Sequence, residues 1–139
     1  MQGENELLIA DSITYDVVIK NPDPYDQWTD ECLQNLDKKN LVDYIFEAIY
    51  QGKVIAYNYF EDTPLSVKQV KALEESEEFS RDQIAKIQFI EEWVLDKENF
   101  AFTKKVKSIM LGYEVYNLDG EIRGYKAAFK VLLNQKPEV

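Results

Sequence analysis

Three acidic groupings and one run of lysines are the parts of this chain whose residue types and spacing could do chemistry. Glu91, Glu92 and Asp96 lie close together, and glycoside hydrolysis needs two carboxyls facing each other across a cleft. In a strand, however, neighbouring side chains point to opposite faces, so Glu91 and Glu92 part and only Glu92 and Asp96 can share a side. In a chain with 26 Asp and Glu residues that spacing arises from composition alone, and it reads as structural charge. Asp23, Asp26 and Asp30 could surround a cation, but their spacing misses the calcium-loop pattern and lacks its glycine and terminal glutamate. They read as a surface loop. The run Glu74-Glu75-Ser76-Glu77-Glu78 would not converge on an ion from a solvated turn. Lys104, Lys105 and Lys107 form the one basic cluster. Solubilising charge on a strand face or edge is the plain reading; the sharper one is a contact for an acidic partner, or for an acidic patch on a second copy of the chain.

Composition removes most other chemistry. There is no histidine, and the single Cys32 has neither a cysteine to pair with nor an imidazole to activate it. The five glycines are scattered and form no phosphate loop. The net charge of −10 repels phosphate backbones and anionic lipid, so nucleic acid is not expected as a partner. No apolar run reaches the length of a membrane span. The start has no basic region followed by an apolar segment, which implies the cytoplasm if that start is native and a removed leader otherwise. We therefore expect no catalytic, cofactor-binding or metal-ligating residues.

With 139 residues, 45% of them hydrophobic, the chain is long and apolar enough for one core, and residues 1–139 are expected to form a single domain. Residues 1–12 read as a polar, mobile start. Ile13, Tyr15, Val17 and Ile19 alternate as a strand that Asn21-Pro22-Asp23-Pro24 ends. The stretch from there to Asp37 has no clear period and reads as loop with a short helix. Leu41, Tyr44, Ile45, Ala48 and Ile49 mark one face of a helix that Asn40 would cap and Gly52 would stop. Val54 to Phe60 reads as a short strand. Ser66 and Gln69 form a capping box, with Leu65 and Val70 as its staple. Ser80 and Gln83 suggest another box, so residues 84–90 satisfy both helix and strand periods; the downstream pattern favours one helical turn at most, then a strand. That strand carries Trp93 and turns at Asp96-Lys97-Glu98-Asn99 into a partner running through Gly112 to Tyr116. The partner's apolar residues change parity between Val106 and Ile109, which requires a bulge near Lys107-Ser108. Asp119-Gly120 is expected as a two-residue hairpin turn, followed by a strand with Tyr125, Ala127, Phe129, Val131 and Leu133 inward and Lys126 and Lys130 in water. The fold class is α+β: an antiparallel sheet with a C-terminal three-strand meander and about two to three helices packed on it. Trp93, Gly112, Asp119 and Gly120 read as structural positions.

Two stretches of this sequence resemble a known family. Glu91-Glu92-Trp93-Val94-Leu95-Asp96-Lys97, with Ile109-Met110-Leu111-Gly112-Tyr113 on the next strand, resembles the gliding-motility GldN family, also called PorN, of Bacteroidetes. Ala48 to Tyr57 and the Thr63-Pro64-Leu65-Ser66 helix start look like the same family. The chain departs from the family where proline is usual soon after Gly112 and where a Phe-Trp pair is usual in the last strand. The resemblance runs from about residue 40 to 133 and fits a divergent member. It implies a non-enzymatic, periplasmic part of the type IX secretion and gliding machinery, assembling with an outer-membrane lipoprotein and with copies of itself into a ring, without a cofactor. The readings of other classes are a small acidic hydrolase or cation-binding domain, and a cytoplasmic ligand-binding or regulatory domain.

Overall fold

A computed structural model of the chain describes residues 4–133. The sheet has six strands, β1 (Glu6–Val18), β2 (Ala56–Tyr57), β3 (Pro64–Leu65), β4 (Ile84–Asp96), β5 (Ala101–Tyr116) and β6 (Ile122–Leu132). They lie in the order β1-β4-β5-β6-β2-β3, antiparallel throughout. Helices α1 (Gln27–Leu33), α2 (Lys38–Tyr50) and α3 (Val67–Glu75) complete an α+β fold, and β4, β5 and β6 form the expected C-terminal meander.

Helix α2 supplies the centre of the core with Val42, Ile45, Phe46, Ala48 and Ile49. Positions 42, 45, 46 and 49 obey the same helical spacing as the stripe expected through Tyr44, so periodicity alone leaves two faces open. Packing takes Val42 and Phe46 in place of Tyr44: Phe46 is fully buried edge-on to Phe129 and Tyr44 is exposed, while Ile45, Ala48 and Ile49 of the expected stripe are buried and Leu41 packs against the core. The cap also moves, because Asp37 rather than Asn40 accepts the free backbone N–H; Asn40 is the donor. At the other end Gly52 takes φ +74°, with its own N–H bonded to Ile49 and that of Lys53 to Ala48, the left-handed stop expected. Helix α3 opens on the capping box of Ser66 and Gln69. The box expected at Ser80 does not form: a 3-10 turn, Arg81–Gln83, leads straight into β4, and the Gln83 amide instead donates to the Glu78 and Glu114 carbonyls.

Strand β1 begins at Glu6 rather than Ile13, so Glu6, Leu7, Leu8 and Ala10, in the start expected to be loose, pair with β4. Residues expected as a strand from Val54 to Phe60 pair only at Ala56 and Tyr57, and Asn58 to Asp62 fold over the sheet face opposite the helices, where Tyr59 bonds Gln88 and Asp62 pairs with Lys130. In β5 the pairing passes from Ser108 opposite Ile90 to Val106 opposite Glu91, which leaves Lys107 as the expected bulge. A further bulge at Ala128 was not anticipated, and it reverses part of β6. Lys126 comes to lie opposite Tyr113 on the core side, while Tyr125 lies on the other face beneath the Lys86 ammonium. The β4–β5 loop is Lys97–Phe100, with Phe100 outside the strand at φ +51°. The β5–β6 turn spans Leu118, Asp119 and Gly120, closed by the Asn117 and Glu121 backbones, with Gly120 at φ +80°; it is a three-residue loop rather than the two-residue turn expected.

Candidate functional site

The core residues of the sheet lie along one end of the three long strands β1, β4 and β5. Beyond Glu91 the strands continue as an arm formed by Glu6–Ala10, Trp93–Asp96 and Ala101–Val106. Cross-strand partners share a face, so Leu7, Leu95 and Phe102 make one row and Leu8, Val94 and Thr103 the row behind it. Leu7, Leu8, Ile9 and Phe102 are all exposed, and Phe100 at the hairpin tip is 83% exposed. A large aromatic held in the left-handed region against solvent is strained and gains nothing from burial.

The arm meets the body at Glu91. This carboxylate is 3% exposed, and it accepts hydrogen bonds from the Tyr15 hydroxyl at 2.7 Å and the Trp93 indole at 2.8 Å. The Lys104 ammonium lies 3.9 Å from it, over the faces of both rings. The hydrogen bond to Glu91 raises the Tyr15 pKa, because an anionic acceptor opposes ionisation of the donor. Bulges flank this level on both sides. The β1–β4 register slips between Ala10 and Ile13, and Lys107 is the extra residue of β5. Lys107 spans them by donating to the Asp11 carbonyl at 2.7 Å.

The three lysines expected to act together are therefore separated. Lys104 turns inward to Glu91, and Lys107 is engaged with Asp11 and lies 4.0 Å from Glu92. Lys105, on the opposite face from Lys104, is exposed and makes no ion pair among the described residues. The candidate acids also have assigned partners. Glu91 is buried and Glu92 is on the other face; Asp96 accepts from the Glu98 and Asn99 backbones and closes its turn. Asp26 caps α1, Asp23 accepts from the Tyr25 backbone, and Asp30 accepts from Asn21. Among the described residues no three His, Cys, Asp or Glu side chains are placed to hold a metal ion. No helix among the described residues is long and apolar enough to cross a membrane. Trp93 stacks edge-on against Phe102, and a Cβ at Gly112 would meet Lys86 at an ordinary 3.5 Å. Cys32 is exposed on α1, none of whose residues is buried.

Two charge clusters fasten the body behind the arm. Arg81 makes a forked contact with Glu74 at 2.5 and 2.9 Å, reaches Asp43 at 3.0 Å and lies over Phe46, tying α2 and α3 to the start of β4. The Arg81 guanidinium holds the Glu74 carboxyl below the usual range, and Lys39 and then Arg81 do the same for Asp43. Glu114, 2% exposed, accepts from Lys20 at 2.6 Å and from the Tyr116 hydroxyl at 2.7 Å. That bond, with burial, pushes Tyr116 up to about 12. Burial lowers the Lys38 pKa while its ammonium donates to the Asp82 and Ile84 carbonyls. An open cleft of about 440 Å³ beside β6 is lined by Glu77, Glu78, Arg123 and Lys126 with Tyr113 and Val115, and mixes both charges without a convergent polar set.

Sequence reasoning missed Tyr15 as a partner of Glu91, and it missed the exposed edge at Leu7 to Ala10. The second had a signal, four consecutive apolar residues before the first recognised strand; the first had none, because Tyr15 and Glu91 are 76 positions apart. No curated protein and no solved structure matches the chain. Residues 25–132 match the family model described as gliding motility associated protein GldN, a range that takes in all three helices and every strand except β1. It starts before the region recognised by resemblance, at the loop carrying α1, and with most of the chain covered this protein belongs to the GldN gliding-motility family.

Proposed function

We propose that the chain is a non-enzymatic assembly component of a Bacteroidetes gliding-motility and type IX protein secretion machine, the role also carried by proteins called PorN. It works in the periplasm, against an outer-membrane lipoprotein of the same machinery and against neighbouring copies of itself. The observation that carries this reading is the family match over residues 25–132. The arm supports it: exposed apolar rows on a three-stranded ribbon are a means of holding another protein, since such surface is stabilised by being covered. Among the three lysines, Lys105 is the one free to meet an acidic group of a partner.

The test is made in the source bacterium. Disrupting the gene should abolish gliding and the secretion of type IX cargo. Cross-linking of the tagged chain in intact cells should recover an outer-membrane lipoprotein identified by mass spectrometry, and protease added to spheroplasts should digest the chain. A strain that glides and secretes normally without the gene, or a chain protected by the inner membrane, would sink the proposal.

A further inference from the structure

Among the described residues no strand pairs with the outer edge of β1, because β4 occupies its inner side. Edge strands in folded proteins are usually blunted by lysine, proline or a covering loop. Here Glu6–Val18 contains no proline and no basic residue. Among the described residues its protective features are carboxylates, the irregular pairing between Ala10 and Ile13, and the Lys107 ammonium on the Asp11 carbonyl, all of them outside Leu7–Ile9. Ahead of that irregularity, Leu7, Leu8 and Ile9 are 41%, 46% and 50% exposed. The family match begins after β1, so this edge is a property of the chain's own first strand.

Charge selects the occupant. The ionisable groups of β1 are Glu6, Asp11, Tyr15 and Asp16. Asp11 lies 3.7 Å from Lys107, Asp16 accepts from the Gln88 amide at 3.2 Å and lies 3.9 Å from Lys86, and Glu6 has no charged partner among the described residues. Pairing β1 with β1 of a second copy would bring the same carboxylates from both chains onto one ribbon, with a net charge of −10 on each side. A basic strand removes that conflict. We infer that the β1 edge, from Glu6 to Ala10, is a docking strand for an extended segment of another protein in which apolar residues alternate with lysine or arginine. Backbone hydrogen bonds to the open edge supply affinity. The partner's apolar side chains continue the Leu7 row, and its basic ones lie on the opposite face, beside Glu6. The inference rests on the assembly reading for its biological setting but not for its chemistry.

The test uses the whole purified chain and a synthetic peptide alternating lysine and valine. Two control peptides accompany it, one with proline at its centre and one with glutamate in place of lysine. Fluorescence anisotropy should give binding of the first at least about tenfold tighter than of either control. Amide hydrogen exchange should show added protection in Glu6–Ala10. The double variant Leu7→Lys/Ile9→Lys, checked for a native circular dichroism spectrum, should lose the binding about tenfold or more. Equal binding of the proline peptide, or protection confined to another part of the chain, overturns the inference. Sedimentation showing self-association that the same variant abolishes overturns it in favour of a second copy. Strand capture in a strain whose secretion does not need the gene would leave this inference standing while the assembly role fails.

Discussion

Glu91 is kept buried by donors drawn from β1 and β4, and truncating it leaves the Tyr15 hydroxyl and the Trp93 indole without an acceptor in a half-buried setting. A lost charged acceptor of this kind costs about 2–3 kcal/mol. Glu91→Ala should fall by that amount in urea unfolding, whereas Glu91→Gln, which keeps one oxygen, should lose about half as much. Equal stability of Glu91→Ala and the native chain would show that this junction does not hold the arm. Phe100 poses the opposite case, since its left-handed φ of +51° strains a bulky residue that is not buried. Phe100→Asn should therefore raise stability by roughly 0.5–1 kcal/mol while weakening capture of the partner protein. Tyr116 gives a pH signature. Its raised pKa, about 12, means it contributes stability that is fully present below an ordinary tyrosine value of about 10 and is lost as pH climbs through 12. In alkaline urea titrations Tyr116→Phe should remove that part of the loss; an unchanged alkaline limb would contradict the Glu114 contact.

At the scale of elements, α2, α3 and β4 are joined through Arg81. The Glu74 carboxyl has a lowered pKa in the fold, so its contribution is present above the ordinary glutamate value and disappears as pH falls through the lowered one. Glu74→Gln should flatten the acid limb of a stability curve while lowering stability at neutral pH. An acid limb unchanged by the substitution would rule out Glu74 as one of its sources. The Lys107 bulge is a matter of register rather than of charge. Deleting Lys107 turns either Phe102–Val106 or Ile109–Val115 to the wrong face, so the deletion should not fold, while Lys107→Ser keeps the extra residue and should cost under about 1 kcal/mol. A folded, cooperative deletion variant would mean that the bulge can migrate. The bulge was legible because two apolar runs of opposite parity sat on one strand, whereas the bulge at Ala128 was not, since Tyr125 and Phe129 are both apolar enough to be taken as inward.

Across the whole molecule, the helices cover one end of the long strands and leave the other end as an arm. Two consequences for dynamics follow from that division. Amides of Ile109, Leu111 and Tyr113, paired on both sides and under the core, should exchange slowest. Those on the outer side of β1 should exchange at rates close to an open strand, because opening there exposes little buried apolar surface. The body is thus a platform, and its buried carboxylates Glu91 and Glu114 do structural work at its margins.

Local pattern by itself determined the meander, the Ser66 capping box, the Gly52 stop, the bulge at Lys107 and the α+β class. Each of these is set by residues near one another in the chain, whose period, turn or cap chemistry favours one solution; at residues 84–90, which fit both periods, the strands downstream tipped the balance. Short motifs were also enough to point to the family. Only the tertiary structure decided that Val42 and Phe46 rather than Tyr44 complete the buried face of α2, and that the three lysines part company. It alone decided that a glutamate beside Trp93 finds its partner in Tyr15. Those outcomes depend on contacts between residues far apart in the chain, where alternatives of equal local merit are separated by packing and by the need to give every buried charge a partner.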